Sequence, residues 1–251
     1  MTLPGSLGQT RRGPIFGTPG SGKTTFLHLF QQFAKKRGVK TLYIGMKECK
    51  EKQKEVEIEI QNLERKVAKK ISSILHFTAS SSLKPSFDLL ITSRCEDLQC
   101  LNGFVEKKFR SDVAGWITAR ITVLQDYFIR GNRLVIYLCL EEFDEIIKRM
   151  LIGIIYALRS EIPYLLIIDD ALAVVLNSMY GDIWPATTRP YLAALNYFPE
   201  ANDTLRFDPV IIAPGGRSYY KLAKPDKYVV MYRGREWEID AAEVYAMARR
   251  I

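Results

Sequence analysis

The stretch Gly17-Thr18-Pro19-Gly20-Ser21-Gly22-Lys23-Thr24-Thr25 fits G-x-x-x-x-G-K-[ST], the pattern of a loop that wraps the phosphates of a nucleoside triphosphate. Its glycines let backbone N–H groups converge without a Cβ in the way. Lys23 brings positive charge to the β and γ phosphates, and the Thr24 hydroxyl suits Mg²⁺. A merely flexible glycine loop would not need the flanks found here. Pro14-Ile15-Phe16 reads as a short strand entering the loop, and Thr25 to Ala34 as a helix with an apolar face leaving it. The loop then lies at a helix N-terminus, where the dipole favours anions. Gly17, Thr18, Pro19, Gly20, Ser21, Gly22, Lys23, Thr24 and Thr25 are the candidate ATP-binding residues.

Far along the chain, Tyr164-Leu165-Leu166-Ile167-Ile168-Asp169-Asp170 is an apolar strand ending in two carboxylates. A strand that ends in an acidic turn is common by itself. Paired with the phosphate loop, it reads as the second half of an ATPase site: Asp169 holds Mg²⁺ through water, and Asp170 orients an attacking water.

Between these motifs the pattern is one of strands alternating with helices, which predicts an α/β fold with a mainly parallel sheet covered on both faces by helices. Lys40 to Gly45 reads as a buried strand, Val56 to Ile74 as a long helix with apolar residues at three/four spacing, and Phe87 to Thr92 as a strand. Val113 to Ile129 reads as helix, Leu134 to Leu140 as strand and Glu142 to Arg159 as helix. Val210 to Ala213 is a further short strand. Tyr228 to Tyr232 and Glu236 to Ile239 flank Arg233-Gly234-Arg235 as a C-terminal β-hairpin. Residues 1–251 are expected to form one domain with a mostly helical insertion around 47–130. Tyr180 to Pro190 is expected to be a long polar connection carrying partner contacts.

The 251 residues are 47% hydrophobic, an ordinary globular composition. No apolar run reaches membrane-span length, and the first residues lack a signal region, so no membrane role and a place inside the cell are expected. The net charge of +8 is unevenly placed: residues 35 to 70 hold twelve Lys/Arg against six Asp/Glu. A second basic stretch runs from Arg217 to Arg235. Such a surface suits nucleic acid, although a solvated helical face reads the same way. Cys49, Cys95, Cys100 and Cys139 lack zinc spacing and are expected to be buried thiols, with Cys95 and Cys100 able to meet if the segment turns back.

Gly17 to Gly45 resembles the start of the RecA-like ATPases, in particular the KaiC and archaeal recombinase branch: a G-x-P-G-S-G-K-T-T loop, a helix, a charged Arg-Gly turn and a strand reading Tyr-Ile. Val229-Val230-Met231-Tyr232-Arg233-Gly234 is similar to the hairpin that closes the sheet in that branch, with Met231 where those relatives carry lysine. The resemblance implies an oligomer in which Arg233 reaches a neighbouring subunit's γ-phosphate, and a catalytic Glu near the end of the second strand, where Glu48 stands; Leu140-Glu141-Glu142 repeats that pattern. Leu165 to Asp170 also resembles the Asp-Asp strand of DnaA-type replication initiators among the AAA+ ATPases. The chain as a whole is similar to ATPases carried by spindle-shaped viruses of hyperthermophilic archaea.

The expected function is therefore a Mg²⁺-dependent, oligomeric ATPase acting on DNA in replication, recombination or packaging. Arg233, Arg235, Lys221, Lys224 and Lys227 would lie near the phosphodiester backbone. The other readings are a nucleotide-gated switch that binds ATP with little turnover, and an initiator of the DnaA type. A small-molecule kinase fits the acidic pair and basic hairpin less well, and no Asn-Lys-x-Asp guanine reader is present.

Overall fold

Strand β1 (Gly13–Phe16) runs into the glycine loop, and helix α1 (Lys23–Lys36) leaves it. The computed structural model describes residues 13–46, 49, 54–79, 83–169, 191–195, 209–215 and 223–250. Helix α1 carries Phe26, Leu27, Leu29, Phe30 and Ala34 on its buried face and ends where Gly38 takes φ +72°. There the Gly38 N–H donates to Lys35 O and the Val39 N–H to Ala34 O, which satisfies the carbonyls of the last turn. The chain then enters β2 (Thr41–Gly45).

The chain divides into two compact units, one made of Met1–Lys50 with Pro163–Ile251 and the other of Glu51–Ile162. The first contains β6 (Leu165–Asp169), β7 (Tyr191–Leu195), β8 (Val210–Ile212), β9 (Lys227–Tyr232), β10 (Arg235–Asp240) and a C-terminal helix, α7 (Ala241–Arg249). Its sheet has the order β10-β9-β8-β1-β7-β6-β2. The strands from β8 to β2 are parallel, and β9 and β10 close the edge as an antiparallel hairpin. Ile15, Ile167, Ile211 and Val230 meet α1 and Val244 of α7 in one core. Phe16, Leu42, Ile44, Ile168, Ile212 and Val229 of the opposite face are buried as well, which is why these strands read as unbroken apolar runs.

The sequence reading missed β7. Tyr-Leu-Ala-Ala-Leu offers two alanines where a buried strand usually shows β-branched residues, so its propensity is weak and its place between β1 and β6 comes from pairing.

The second unit corrects several expectations. Val56 does not open a helix: Glu55–Glu59 is strand β3, with Ile58 buried and the glutamates exposed. The strict alternation Glu-Val-Glu-Ile-Glu overrides the three/four spacing, and α2 (Leu63–His76) begins only after Asn62 turns left-handed at φ 55°. Phe87 to Thr92 is not a strand either. A 3-10 turn over Lys84–Phe87 runs into the short helix α3 (Asp88–Ile91). Phe87 and Leu90 are buried, whereas Leu89 and Ile91 are exposed, a three-residue period.

Helices α4 (Leu98–Lys108) and α5 (Ser111–Val123) follow, and a π turn leads into β4 (Ile129–Arg130). The expected strand at 134–140 is β5 (Arg133–Tyr137), but it pairs antiparallel with β3 and β4 rather than joining the parallel sheet. Arg130 and Arg133 bind Glu55 and Glu57 across that small sheet and hold the Glu57 carboxyl below the usual carboxylate range. Helix α6 (Glu145–Ala157) lies close to α2, because a Cβ at Gly153 would come within 2.8 Å of the Ile74 carbonyl oxygen.

Cys95 and Cys100 form a disulfide, and no cysteine among the described residues is a free thiol, which corrects the buried-thiol reading. The segment does turn back: Asp97 accepts from the Cys100 N–H and caps α4, bringing the two Cα atoms to 5.5 Å. A cross-link over so short a loop removes about 2 kcal/mol of unfolded-state entropy. Replacing Cys95 and Cys100 by serine should lower the urea-unfolding free energy, measured without reductant, by about that amount.

Candidate nucleotide-binding site

Gly17 must be a glycine for lack of space: a Cβ there would lie 2.5 Å from Ser21 Oγ and 2.9 Å from Ala213 Cβ. Gly20 and Gly22 must be glycines for conformation, with φ +78° and +85°. Inside this tight turn the Lys23 side chain is only 6% exposed. Its ammonium donates to Gly17 O at 2.8 Å, Thr18 O at 2.6 Å and Ser21 Oγ at 3.4 Å. Three acceptors for three N–H groups make a buried cation tolerable.

Lys23 and Thr24 also begin α1. The N-cap of that helix is Gly22, with no side-chain cap, and its first turn holds no acidic residue. The leading N–H groups of a helix lack intrahelical acceptors, and their dipoles add positive potential. The loop therefore combines an ammonium with a positive helix end and turns its own oxygens toward the ammonium.

Two tyrosines from the C-terminal segment brace this loop. Tyr228 of β9 is fully buried, packs on Phe26 at 5.0 Å, and donates its hydroxyl to the Gly22 carbonyl at 2.8 Å. Burial, reinforced by Tyr245 of α7, pushes the Tyr228 phenol well up, so it remains a protonated donor. Both hydroxyls would lie 2.4 Å from a Cβ on Gly22. Neither tyrosine was recognised as part of the site. The signal available was a tyrosine inside an apolar strand, whose hydroxyl needs a partner when buried.

Asp169 ends β6. Register places Phe16 level with Leu195, and Ile168 level with Ala193, so the ends of β1, β7 and β6 share one sheet edge. One strand separates β1 from β6, about 10 Å between their axes, enough for a phosphate group and a hydrated cation. Thr24, the second residue of α1, is exposed, and its hydroxyl and the Asp169 carboxylate are hard oxygen groups of the kind that Mg²⁺ prefers. Asp169 Oδ2 accepts a hydrogen bond from Tyr43.

Asp170 and Glu48, the candidate water-positioning residues, lie outside the described residues, as do Lys221 and the connection from Tyr180 to Pro190. Arg233 is not brought to the loop of its own chain. Strand β9 runs antiparallel to β8, with Val229 opposite Ile212 and Met231 opposite Val210, so Tyr228 points toward the loop edge and Arg233 turns at the other edge. The guanidinium lies 5.1 Å from the Tyr232 ring, and Tyr232 packs diagonally on Trp237 across the hairpin. Lys224 and Lys227 both bind Glu238.

No family model matches the sequence, and no curated protein matches it. Among solved structures the chain is similar to VirB4 of Thermoanaerobacter pseudethanolicus, with a TM-score of 0.51 and 10% identity, covering 91% of this chain and 88% of that one. It also matches a bacterial conjugative coupling protein, TrwBdeltaN70 in an unbound monoclinic form, with a TM-score of 0.48 and 10% identity over 92% of this chain and 84% of the other. The fold is that of the P-loop NTPases: an α/β sheet, mainly parallel, closed by a C-terminal hairpin. Among the described residues no helix is long and apolar enough to cross a membrane.

Gly20 and Gly22 share a left-handed backbone, but a Cβ at Gly20 meets nothing within 4 Å. Gly20→Ala should therefore cost about 1–2 kcal/mol, the strain of that conformation alone. Gly22→Ala should cost more, since two hydroxyls must also move, and Tyr245→Phe should recover part of the excess. Urea unfolding of the wild type, Gly20→Ala, Gly22→Ala and the double variant Gly22→Ala with Tyr245→Phe measures both differences.

Proposed function

We propose that this chain is a Mg²⁺-dependent ATP-binding and hydrolysing enzyme that works on DNA as a homo-oligomer. The observation that carries the reading is the buried Lys23 ammonium at an uncapped helix N-terminus, on the same sheet edge as Asp169. Phosphate oxygens would take over acceptor positions now filled by loop carbonyls, with the loop N–H groups as further donors. Thr24 and Asp169 would hold the cation, whose chemistry is to neutralise charge on the β and γ oxygens. Asp170, next along the chain, or Glu48 would orient water.

DNA as partner is supported by the net charge of +8 and by the basic hairpin tip of Arg233 and Arg235. Lys224 and Lys227 support it less, because Glu238 already neutralises part of their charge. The placement of Arg233 away from its own loop supports a trans contact to a neighbouring subunit, as the RecA and KaiC resemblance implies, and we favour that branch over the DnaA type. A Cys95–Cys100 disulfide suits an intracellular protein of a hyperthermophilic host, as the spindle-virus resemblance implies.

Steady-state ATP hydrolysis with Mg²⁺, with and without DNA, tests the reading. Stimulation by DNA that fades with salt is expected. ATP binding without turnover or DNA response would replace it by the nucleotide-gated switch. Lys23→Ala should weaken ATP binding by at least about tenfold, the worth of a charge-assisted hydrogen bond, with an unchanged circular-dichroism spectrum. Arg233→Ala and Asp170→Asn, each inactive alone, should regain hydrolysis when mixed. Failure to do so would remove the trans contact.

A further inference from the structure

Tyr43 sits in β2 two residues before Gly45, and Gly45 is the register partner of Asp169. Side chains alternate along a strand, so Tyr43 and Asp169 project from the same face of the sheet. The Tyr43 hydroxyl donates to Asp169 Oδ2 at 2.9 Å. On that face the Tyr43 ring stacks flat on His28 of α1, with centroids 4.6 Å apart and planes 9° apart. One aromatic ring thus connects the helix that starts at the phosphate loop with the carboxylate at the end of β6. Burial pushes the Tyr43 phenol well above its ordinary range, and the charge of Asp169 pushes it further, so the hydroxyl stays protonated.

Phenylalanine would fill the same space and stack on the same imidazole. What the tyrosine adds is one donor directed at one carboxylate oxygen. We propose that Tyr43 is a positioning residue for the divalent cation: it fixes the rotation of the Asp169 carboxylate by occupying Oδ2, leaving Oδ1 for the cation or its water. This rests on the reading of Asp169 as the Mg²⁺ carboxylate. Partners that orient a metal-binding group typically govern affinity for the metal by 10–100-fold.

The test reads binding rather than turnover. Mg²⁺ is titrated into the protein with a fluorescent ATP analogue, starting from EDTA, for the wild type, Tyr43→Phe and Asp169→Asn. Tyr43→Phe should keep the wild-type melting temperature and nucleotide affinity in EDTA while its Mg²⁺ midpoint rises by about tenfold or more. An unchanged midpoint in Tyr43→Phe, with a raised one in Asp169→Asn, would overturn the role of Tyr43 and leave the site reading standing. Equal losses in EDTA and in Mg²⁺ would overturn it too, by making the tyrosine a packing residue. An unchanged midpoint in Asp169→Asn would overturn the site reading and the inference with it.

Discussion

A lysine ammonium buried against the positive end of a helix is the constraint on which the first unit depends. Burying a cation costs several kcal/mol unless oxygens surround it, and the helix end beside Lys23 raises that cost. The chain meets it with backbone: the loop curls so tightly that two of its carbonyls and the Ser21 hydroxyl face inward. That curl requires left-handed φ at Gly20 and Gly22 and closes off any Cβ at Gly17. Carbonyl oxygens satisfy the hydrogen bonds of the ammonium. A phosphate in the loop would meet both the ammonium and the leading N–H groups of α1, so the features that strain the loop are also the ones that suit it to an anion.

The loop does not keep this shape unaided. Its Gly22 carbonyl accepts from the Phe26 N–H along α1 and from the Tyr228 hydroxyl across the sheet. Tyr228 belongs to the last hairpin, more than two hundred residues away in sequence, and Tyr245 belongs to the helix after it. The C-terminal segment is thus part of the loop's support. Because β9 spans the sheet from edge to edge, the same strand that braces the loop at Tyr228 ends at Arg233 on the far side, about 15 Å away at the rise of an extended chain.

Much of this was legible in the residues. The glycine loop, the apolar face of α1, the strand before Asp169 and the hairpin around Arg233-Gly234 are local patterns, and local patterns survive without knowledge of the fold. What was lost depended on pairing or on competing periods. β7 is weak by propensity and is a strand because β1 and β6 flank it. Glu55–Glu59 satisfies a period of two, whereas Val56 also fits a helical stripe that continues through Ile60 into α2. Tyr43 and Tyr228 looked like strand residues, and so they are. Their hydroxyl partners, Asp169 and Gly22, lie 126 and 206 residues away, a relation no local window contains.

The turn at the hairpin tip shows where local preference gives way. Arg233 and Gly234 both have positive φ, 49° and 70°, and with Tyr232 paired to Arg235 they form a two-residue turn of the primed kind that suits the twist of the strands. Asparagine or glycine occupies the first such position at little cost, whereas an arginine there carries backbone strain of about 1 kcal/mol. The strain sets the direction of the side chain as well as its price: a rigid turn holds the guanidinium beside the Tyr232 ring, on the edge of the sheet away from the Lys23 loop. A long flexible loop would let an arginine fold back onto its own site. This turn, being short and closed by paired strands on both sides, does not, which is the geometry that the proposed contact between copies of the chain would need.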